Sequence, residues 1–127
     1  MSNIDFKTIG KTLRLRRKEK ALTLESVADY VGVSINYISE LELGKAGKVP
    51  SDYVLRKLTK LLGLDEKEVF QGFGKLPVSI VEELEENDML LRTLYEIKKN
   101  SKLTDDDRNV LYDQIYSLYL QHLSKKE

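Results

Sequence analysis

The chain of 127 residues contains no cysteine, no tryptophan and only two prolines. Without cysteine it has neither a disulfide framework nor a Cys-ligated metal site, which fits a reducing compartment. It also lacks any apolar run near the roughly 20 residues that a transmembrane helix needs. The first residues do not show the basic and then apolar layout of a signal peptide. These absences lead us to expect a soluble, cytoplasmic protein without a membrane segment.

A net charge is also missing, but the charges are unevenly distributed along the chain. Residues 1–75 contain 14 Lys and Arg against 10 Asp and Glu, whereas residues 76–127 contain 7 against 11. A basic first part is suited to a polyanion, which would repel the acidic second part. The change of sign falls at residues 72–77, where Gly and Pro interrupt the helical periodicity. We therefore predict two domains, residues 1–74 and 75–127.

Apolar residues recur at helical spacing along nearly the whole chain, and strand patterns are absent. The spacing predicts five helices in the first domain, over about 5–20, 24–31, 35–43, 51–62 and 65–73. Side chains expected in the core are Phe6, Ile9, Leu13, Val27, Ala28, Val31, Ile38, Leu41, Val54, Leu55, Leu58, Leu61, Leu62, Val69, Phe70 and Phe73, with Leu15 as a further candidate. The predicted fold class is all-α.

The second domain is predicted to be a helical hairpin. A short acidic turn from Ser79 to Glu86 precedes a helix that Asp88 caps and that ends near Asn100. Thr104 then caps the last helix, and Asp105, Asp106 and Asp107 oppose the positive end of its dipole, with Lys125 and Lys126 at the other end. The triple aspartate is interpreted as this dipole effect and not as a cation site, since three consecutive helical residues do not converge.

Apolar residues lie on more than one side of this last helix. Two helices bury little area by themselves, so the additional apolar side predicts a partner. The simplest partner is the same segment of a second chain. The residues expected in such a dimer interface are Leu111, Ile115, Tyr116, Leu118, Tyr119 and Leu123.

Residues 22–44 form the most informative stretch of the chain. Two short amphipathic helices are joined there at Gly32, which can adopt a positive φ angle without a Cβ clash. Ala28 is small at the point where the two helices must cross. Ser34 offers its hydroxyl to the free N–H groups that open the second helix. This combination predicts a helix-turn-helix, whose second helix enters a DNA major groove.

The pattern extends to both sides of this pair of helices. Residues that carry it are Ile9, Gly10, Leu13, Arg14, Arg17, Leu22, Thr23, Ala28, Gly32, Ser34, Tyr37, Ile38, Ser39, Leu41, Glu42, Gly44, Lys45, Pro50 and Ser51. With them, the first domain resembles the XRE-type helix-turn-helix family, which includes the repressors and Cro proteins of lambdoid phages. The resemblance implies a compact five-helix, lambda-repressor-like DNA-binding domain that usually acts as a dimer on palindromic operators.

The resemblance implies that Ser34, Ile35, Asn36 and Glu40 face base edges. Asn can bond an adenine bidentately, Glu can accept from a cytosine amino group, and Ile can pack on a thymine methyl. It further implies that Thr23, Ser26, Tyr37, Lys45 and Lys48 contact phosphates. Arg17 and Glu42 match a family pair that bridges the first and third helices.

Three features depart from the family pattern. Leu24 stands where phage repressors often have Gln, and the predicted recognition helix (about 34–43) has no Arg or Lys to bond guanine. The loop before the fourth helix is about two residues longer than in the short phage proteins. These differences concern the DNA sequence that is read and not the fold.

We therefore expect a homodimeric DNA-binding repressor, bacterial or phage-encoded and associated with the nucleoid, with double-stranded DNA as its partner. The alternative is an antitoxin or another regulator whose C-terminal helices bind a partner protein, and a protein antagonist is compatible with either. No cofactor or metal is indicated, because His122 has no neighbouring ligand set. An enzyme is not expected, since no nucleophile, base and anion hole can be assembled.

Overall fold

The computed structural model describes residues 5–45 and 49–127, and in these ranges it contains eight α-helices and no strand. The helices are α1 (Phe6–Glu19), α2 (Leu24–Val31), α3 (Ile35–Leu43), α4 (Asp52–Leu62), α5 (Glu66–Gly72), α6 (Val78–Glu86), α7 (Asp88–Lys99) and α8 (Asp105–Ser124). The all-α prediction is therefore confirmed. The chain divides into two compact units, Met1–Val81 and Glu82–Glu127.

The core of the first unit lies among α1 to α5. Helix α1 packs against α3, α4 and α5, and α2 packs against α3 and α4. The buried side chains are Ile9, Leu13, Val27, Ala28, Val31, Ile38, Leu41, Val54, Leu55, Leu58, Leu62, Val69, Phe70 and Phe73. Leu15 is 64% exposed, so its proposed place in the core is wrong. It follows the buried Leu13 by two residues and therefore lies on the opposite side of α1.

Short side chains define where the helices of this unit begin. Thr23, Ser34 and Ser51 each accept a hydrogen bond from the backbone N–H three residues later, at 3.0 to 3.2 Å. Asp5 caps α1 in the same way, and its hydrogen bonds from the side chain and backbone of Thr8 lower its pKa. Since each cap satisfies a donor that the helix cannot satisfy itself, these residues fix the helix starts.

The second unit contains no comparable core. No residue of α7 or α8 is buried. The contact between the two helices involves Arg108, whose guanidinium donates to the carbonyl oxygens of Ile97 (3.1 Å), Lys98 (3.1 Å) and Asn100 (3.2 Å). This side chain thus satisfies the carbonyl groups at the end of α7, which have no partner within their own helix.

Two details of the predicted second half differ from the structure. The segment expected to be an acidic turn is the helix α6, because Ile80, Val81 and Leu84 are spaced for one face of a helix. Helix α7 is capped by Asn87 and not by Asp88: the Asn87 side chain accepts from Leu90 N–H at 3.0 Å. Among the described residues, no helix combines the length and apolar character required to cross a membrane.

Candidate nucleic-acid interface

The pair α2 and α3 is joined by a sharp corner. Gly32 has a φ of 86°, in the left-handed region, and nothing lies within 4 Å of the position its Cβ would occupy. This position therefore requires glycine for its backbone angle and not for space. The Val33 N–H closes the corner by donating to the Ala28 carbonyl oxygen at 3.0 Å. Ser34 then starts α3, so the turn spans three residues.

A close approach of α1 to the end of α3 sets the orientation of α3. A Cβ on Gly10 would lie 2.5 Å from the carbonyl oxygens of both Leu41 and Glu42. A Cβ on Gly44 would lie 2.9 Å from the backbone of Lys7. The two helices are therefore in backbone contact at two points. The sequence pattern contained both glycines but did not reveal this contact, since it joins residues more than 30 positions apart.

Arg17 and Glu42 lie together beside this crossing. Arg17 Nε donates to Glu42 Oε2 at 2.6 Å and Nη2 to Oε1 at 3.0 Å, while Nη1 donates to the Leu22 carbonyl oxygen at 2.9 Å. The two side chains are 11% and 6% exposed. The hydrogen bonds with Glu42 raise the pKa of Arg17 above its ordinary value. This bidentate pair ties α3 to α1 and to the start of α2.

The outer side of α3 is open to solvent. Ile35 is 45% exposed, and Asn36 and Glu40 are also exposed. The inner side carries the buried Ile38 and Leu41. Asn36 and Glu40 are four residues apart and so are neighbours on the same face. Helix α3 thus presents Ile35, Asn36 and Glu40 outward while its other side is fixed in the core.

Two further residues belong to the outer side of α3. Leu43, 46% exposed, extends it by one turn and was not among the predicted contacts. Ser34 is exposed, but its hydroxyl oxygen accepts from Tyr37 N–H at 3.0 Å. Its proton can still be donated outward. Ser34 therefore serves as a helix cap and remains available as a donor.

At the start of α2, the Thr23 and Ser26 side chains bond each other. Thr23 Oγ1 accepts from Ser26 N–H at 3.0 Å, and Ser26 Oγ accepts from Thr23 N–H at 3.0 Å and donates to the Thr23 carbonyl oxygen at 2.9 Å. This capping box uses the hydroxyl groups that the sequence had suggested for phosphates. The N–H groups of Leu24 and Glu25, in the first turn, have no acceptor within the helix. An anion at this helix end would therefore meet backbone donors first.

At the end of α3, two lysines lie near each other. Lys45 follows the cap Gly44 and is exposed, and the Lys7 backbone and side chain adjoin Gly44. Lys7 is exposed and was not identified from the sequence, because its proximity depends on the crossing of α1 and α3. Both cations are near the negative end of the α3 dipole. Lys48, the other predicted phosphate contact, lies outside the described residues.

Tyr37 is half-buried and packs against the core cluster. Burial raises the pKa of its phenol, and the nearby Glu40 carboxylate raises it further. The phenol is therefore neutral at physiological pH and keeps its proton as a hydrogen-bond donor. A neutral donor at this place is chemically able to bond a phosphate oxygen.

Known proteins share the sequence of this region. Residues 10–75, half of the chain, match the family model of the helix-turn-helix domain. The chain is 27% identical to the uncharacterized HTH-type transcriptional regulator RghRB of Bacillus subtilis (strain 168) over 118 residues, covering 93% of this chain and 81% of that protein. It is 40% identical over 57 residues to the HTH-type transcriptional repressor RghR of the same organism, covering 45% of this chain and 42% of the repressor.

These matches confirm the resemblance found in the sequence. The matched segment contains all of α2, α3, α4 and α5, and therefore both the corner at Gly32 and the exposed face of α3. The chain belongs to the XRE-type helix-turn-helix family of DNA-binding transcriptional regulators.

Proposed function

We propose that the protein is a homodimeric transcriptional repressor that inserts α3 into the major groove of a palindromic operator. The observation that carries this proposal is the division of α3 into two faces. Ile35, Asn36 and Glu40 are exposed, whereas Ile38 and Leu41 are buried in the core. A major groove accommodates one α-helix, and a helix held in this way can project its outer side chains toward base edges.

The outer side chains of α3 define which bases are read. Asn36 bonds adenine through its amide, Glu40 accepts from the amino group of cytosine, and Ile35 packs on a thymine methyl. The Ser34 hydroxyl donates to a base or to the adjacent phosphate. Since α3 carries no Arg or Lys, the bidentate contact to guanine does not come from this helix.

Backbone and side-chain donors on either side of α3 bind phosphates. The N–H groups of Leu24 and Glu25 receive one phosphate at the start of α2. Lys7, Lys45 and the Tyr37 phenol bind phosphates on the other side. We retain Lys48 in this set on the basis of the sequence resemblance. These contacts fix the register of α3 and supply the salt-dependent part of the affinity.

The homodimer is supported by the exposed apolar side chains of α8. Ile115, Tyr116, Leu118, Tyr119 and Leu123 are each 44 to 61% exposed, and Leu111 is half-buried. A surface of this kind indicates a protein partner. Two-fold pairing of the chains matches a palindromic site with half-sites about 34 Å apart. Sedimentation of the purified chain tests this: a monomer would contradict the homodimer and would favour an antitoxin-like regulator with a different partner protein.

Selection from a randomised pool of DNA duplexes tests the base contacts. We expect the chain to enrich one palindromic sequence, and Asn36→Ala to lose the preference at one base pair in each half-site, at a cost of about 1–3 kcal/mol per contact. Lys45→Ala should weaken binding to selected and random duplexes alike. Lys67→Ala, at an exposed position of α5, is the matched control and should change neither.

The salt dependence provides the second readout. The negative slope of log affinity against log salt should become shallower by about 1 for each lysine–phosphate contact that a substitution removes. The slope should not change for Asn36→Ala. If the chain enriches no sequence, the proposed function is wrong. If Asn36→Ala and Lys45→Ala weaken specific and random duplexes equally, the proposal for the contacts is wrong while DNA binding stands.

A further inference from the structure

Helix α1 carries far more positive than negative charge. Its 14 residues include six Lys and Arg, and Glu19 is the one acidic residue among them. Arg16 Nε lies 3.7 Å from Glu19 Oε1, and Arg17 is bound by Glu42. The remaining four cations are exposed, and none of them forms an ion pair within the described residues. They are Lys7, Lys11, Arg14 and Lys18.

These four cations form one basic stripe along α1. They follow one another at intervals of four, three and four residues, which is the spacing of a single helix face. From Lys7 to Lys18 the stripe is roughly 16 Å long. Lys7 with Lys11, and Arg14 with Lys18, are like-charge pairs four residues apart, and such pairs destabilise a helix. A polyanion bound along the stripe would reduce this repulsion.

The basic stripe adjoins the side of α1 that packs on α3. A Cβ on Gly44 would lie 2.8 Å from Lys7 Cγ, so the first cation of the stripe is beside the residue that ends α3. Gly10, three residues after Lys7, is in contact with the α3 backbone. Arg17, three residues after Arg14, is hydrogen-bonded to a side chain of α3. Both halves of the stripe are therefore one helical turn from a contact with α3.

We infer that the basic stripe binds the phosphate backbone of duplex DNA beside the groove that α3 enters, as a row of contacts that continues from Lys7. This inference rests on the placement of α3 in the proposed function and extends that interface along α1. One strand of B-DNA carries a phosphate for about every 3.4 Å of helix axis. A stripe of roughly 16 Å is therefore long enough to accompany about five phosphates.

The composition of the basic stripe favours phosphates over a protein partner. The centre of a protein interface is enriched in aromatic residues and depleted of lysine. Three of the four stripe residues are lysines, and the fourth is an arginine. These side chains neutralise DNA phosphates whatever the base sequence, so the stripe supplies affinity while α3 supplies the sequence preference.

Removal of three stripe charges in one chain tests the inference. The stripe variant combines Lys11→Gln, Arg14→Gln and Lys18→Gln, and it leaves Lys7 in place because that residue is already a proposed half-site contact. Glutamine is a good helix former, and circular dichroism checks that the variant remains folded. The matched control removes the same number of Lys and Arg charges from exposed positions of α4 and α5. It combines Arg56→Gln, Lys60→Gln and Lys67→Gln.

Binding is measured on the duplex enriched by selection, lengthened by about one helical turn of DNA on each side, and on a random duplex of equal length. In the stripe variant, the negative slope of log affinity against log salt should become shallower by about 3 per protomer on both duplexes. The control variant should keep the slope of the natural chain. Selection with the stripe variant should enrich the same sequence as before, because α3 is unchanged.

Ethylation of the phosphates identifies where the stripe contacts DNA. In the natural chain and the control, we expect ethylation to block binding at a row of phosphates on one strand of each half-site. In the stripe variant, ethylation of these phosphates should no longer matter. The lost row should adjoin the phosphate whose effect disappears in Lys7→Gln, since the stripe continues from that residue.

The other outcomes separate this inference from the proposed function. If the stripe variant and the control have equal slopes while the natural chain still selects one sequence, the stripe does not bind phosphates and the proposed function stands. If the stripe variant keeps the natural slope but sediments as a monomer, the stripe belongs to a protein contact, and the inference is again overturned. If the natural chain selects no sequence, the proposed function is wrong and this inference fails with it.

Discussion

Removal of one member of the Arg17–Glu42 pair should destabilise the first unit severely. In Glu42→Leu, the Arg17 guanidinium would keep its bond to the Leu22 carbonyl and lose both bonds to the carboxylate. Its side chain is 11% exposed, so water cannot replace those bonds fully. Two hydrogen bonds to a charged group are worth about 3–6 kcal/mol, and breaking buried ion pairs costs about 3–5 kcal/mol. We therefore expect a loss of about 4 kcal/mol.

Urea unfolding followed by circular dichroism measures this loss. The double variant Arg17→Leu with Glu42→Leu removes both buried charges, and we expect it to be at least about 2 kcal/mol more stable than Glu42→Leu alone. If the losses of the two single variants simply add in the double variant, the two side chains do not stabilise the fold as a pair. If the double variant folds but no longer binds any duplex, the pair is required for DNA binding as well as for stability.

Three further substitutions test the backbone contacts and the caps. Gly10→Ala should lower the free energy of unfolding by about 3 kcal/mol, because the added Cβ would overlap two carbonyl oxygens. Gly32→Ala should lower it by about 1 kcal/mol, because only the positive φ at that position opposes the change. Equal losses in urea unfolding would refute the close approach of α1 and α3. The backbone and side-chain hydrogen bonds with Thr104 lower the pKa of Asp107 below its ordinary value of 3.8. The ionised Asp107 carboxylate therefore stabilises α8 fully at a pH above 3.8, and this stabilisation is lost as the pH falls through the lowered pKa. Helicity should thus fall less on acidification in Asp107→Asn than in the natural chain, and identical acid titrations would contradict this.

The helices of the first unit were predictable because their boundaries are encoded locally. Thr23, Ser34 and Ser51 stand directly before apolar periodic segments, and a cap satisfies its own helix wherever that helix packs. Leu15 shows that an apolar side chain alone does not predict burial, because its position on α1 turns it toward solvent. The segment that became α6 was assigned by its acidity, although Val81 and the residues near it have helical spacing.

The candidate interface was predictable in part, for a related reason. The periodicity of α3 places Ile38 and Leu41 inward, and the family resemblance implies that Asn36 and Glu40 face outward, where the structure has them exposed. The place of Lys7 depends on the crossing of α1 with the end of α3, and no local pattern reports that contact. The family resemblance assigned Thr23 and Ser26 to phosphate contacts, and this stays a prediction; the mutual hydrogen bonds of the two hydroxyl groups were not visible in the sequence.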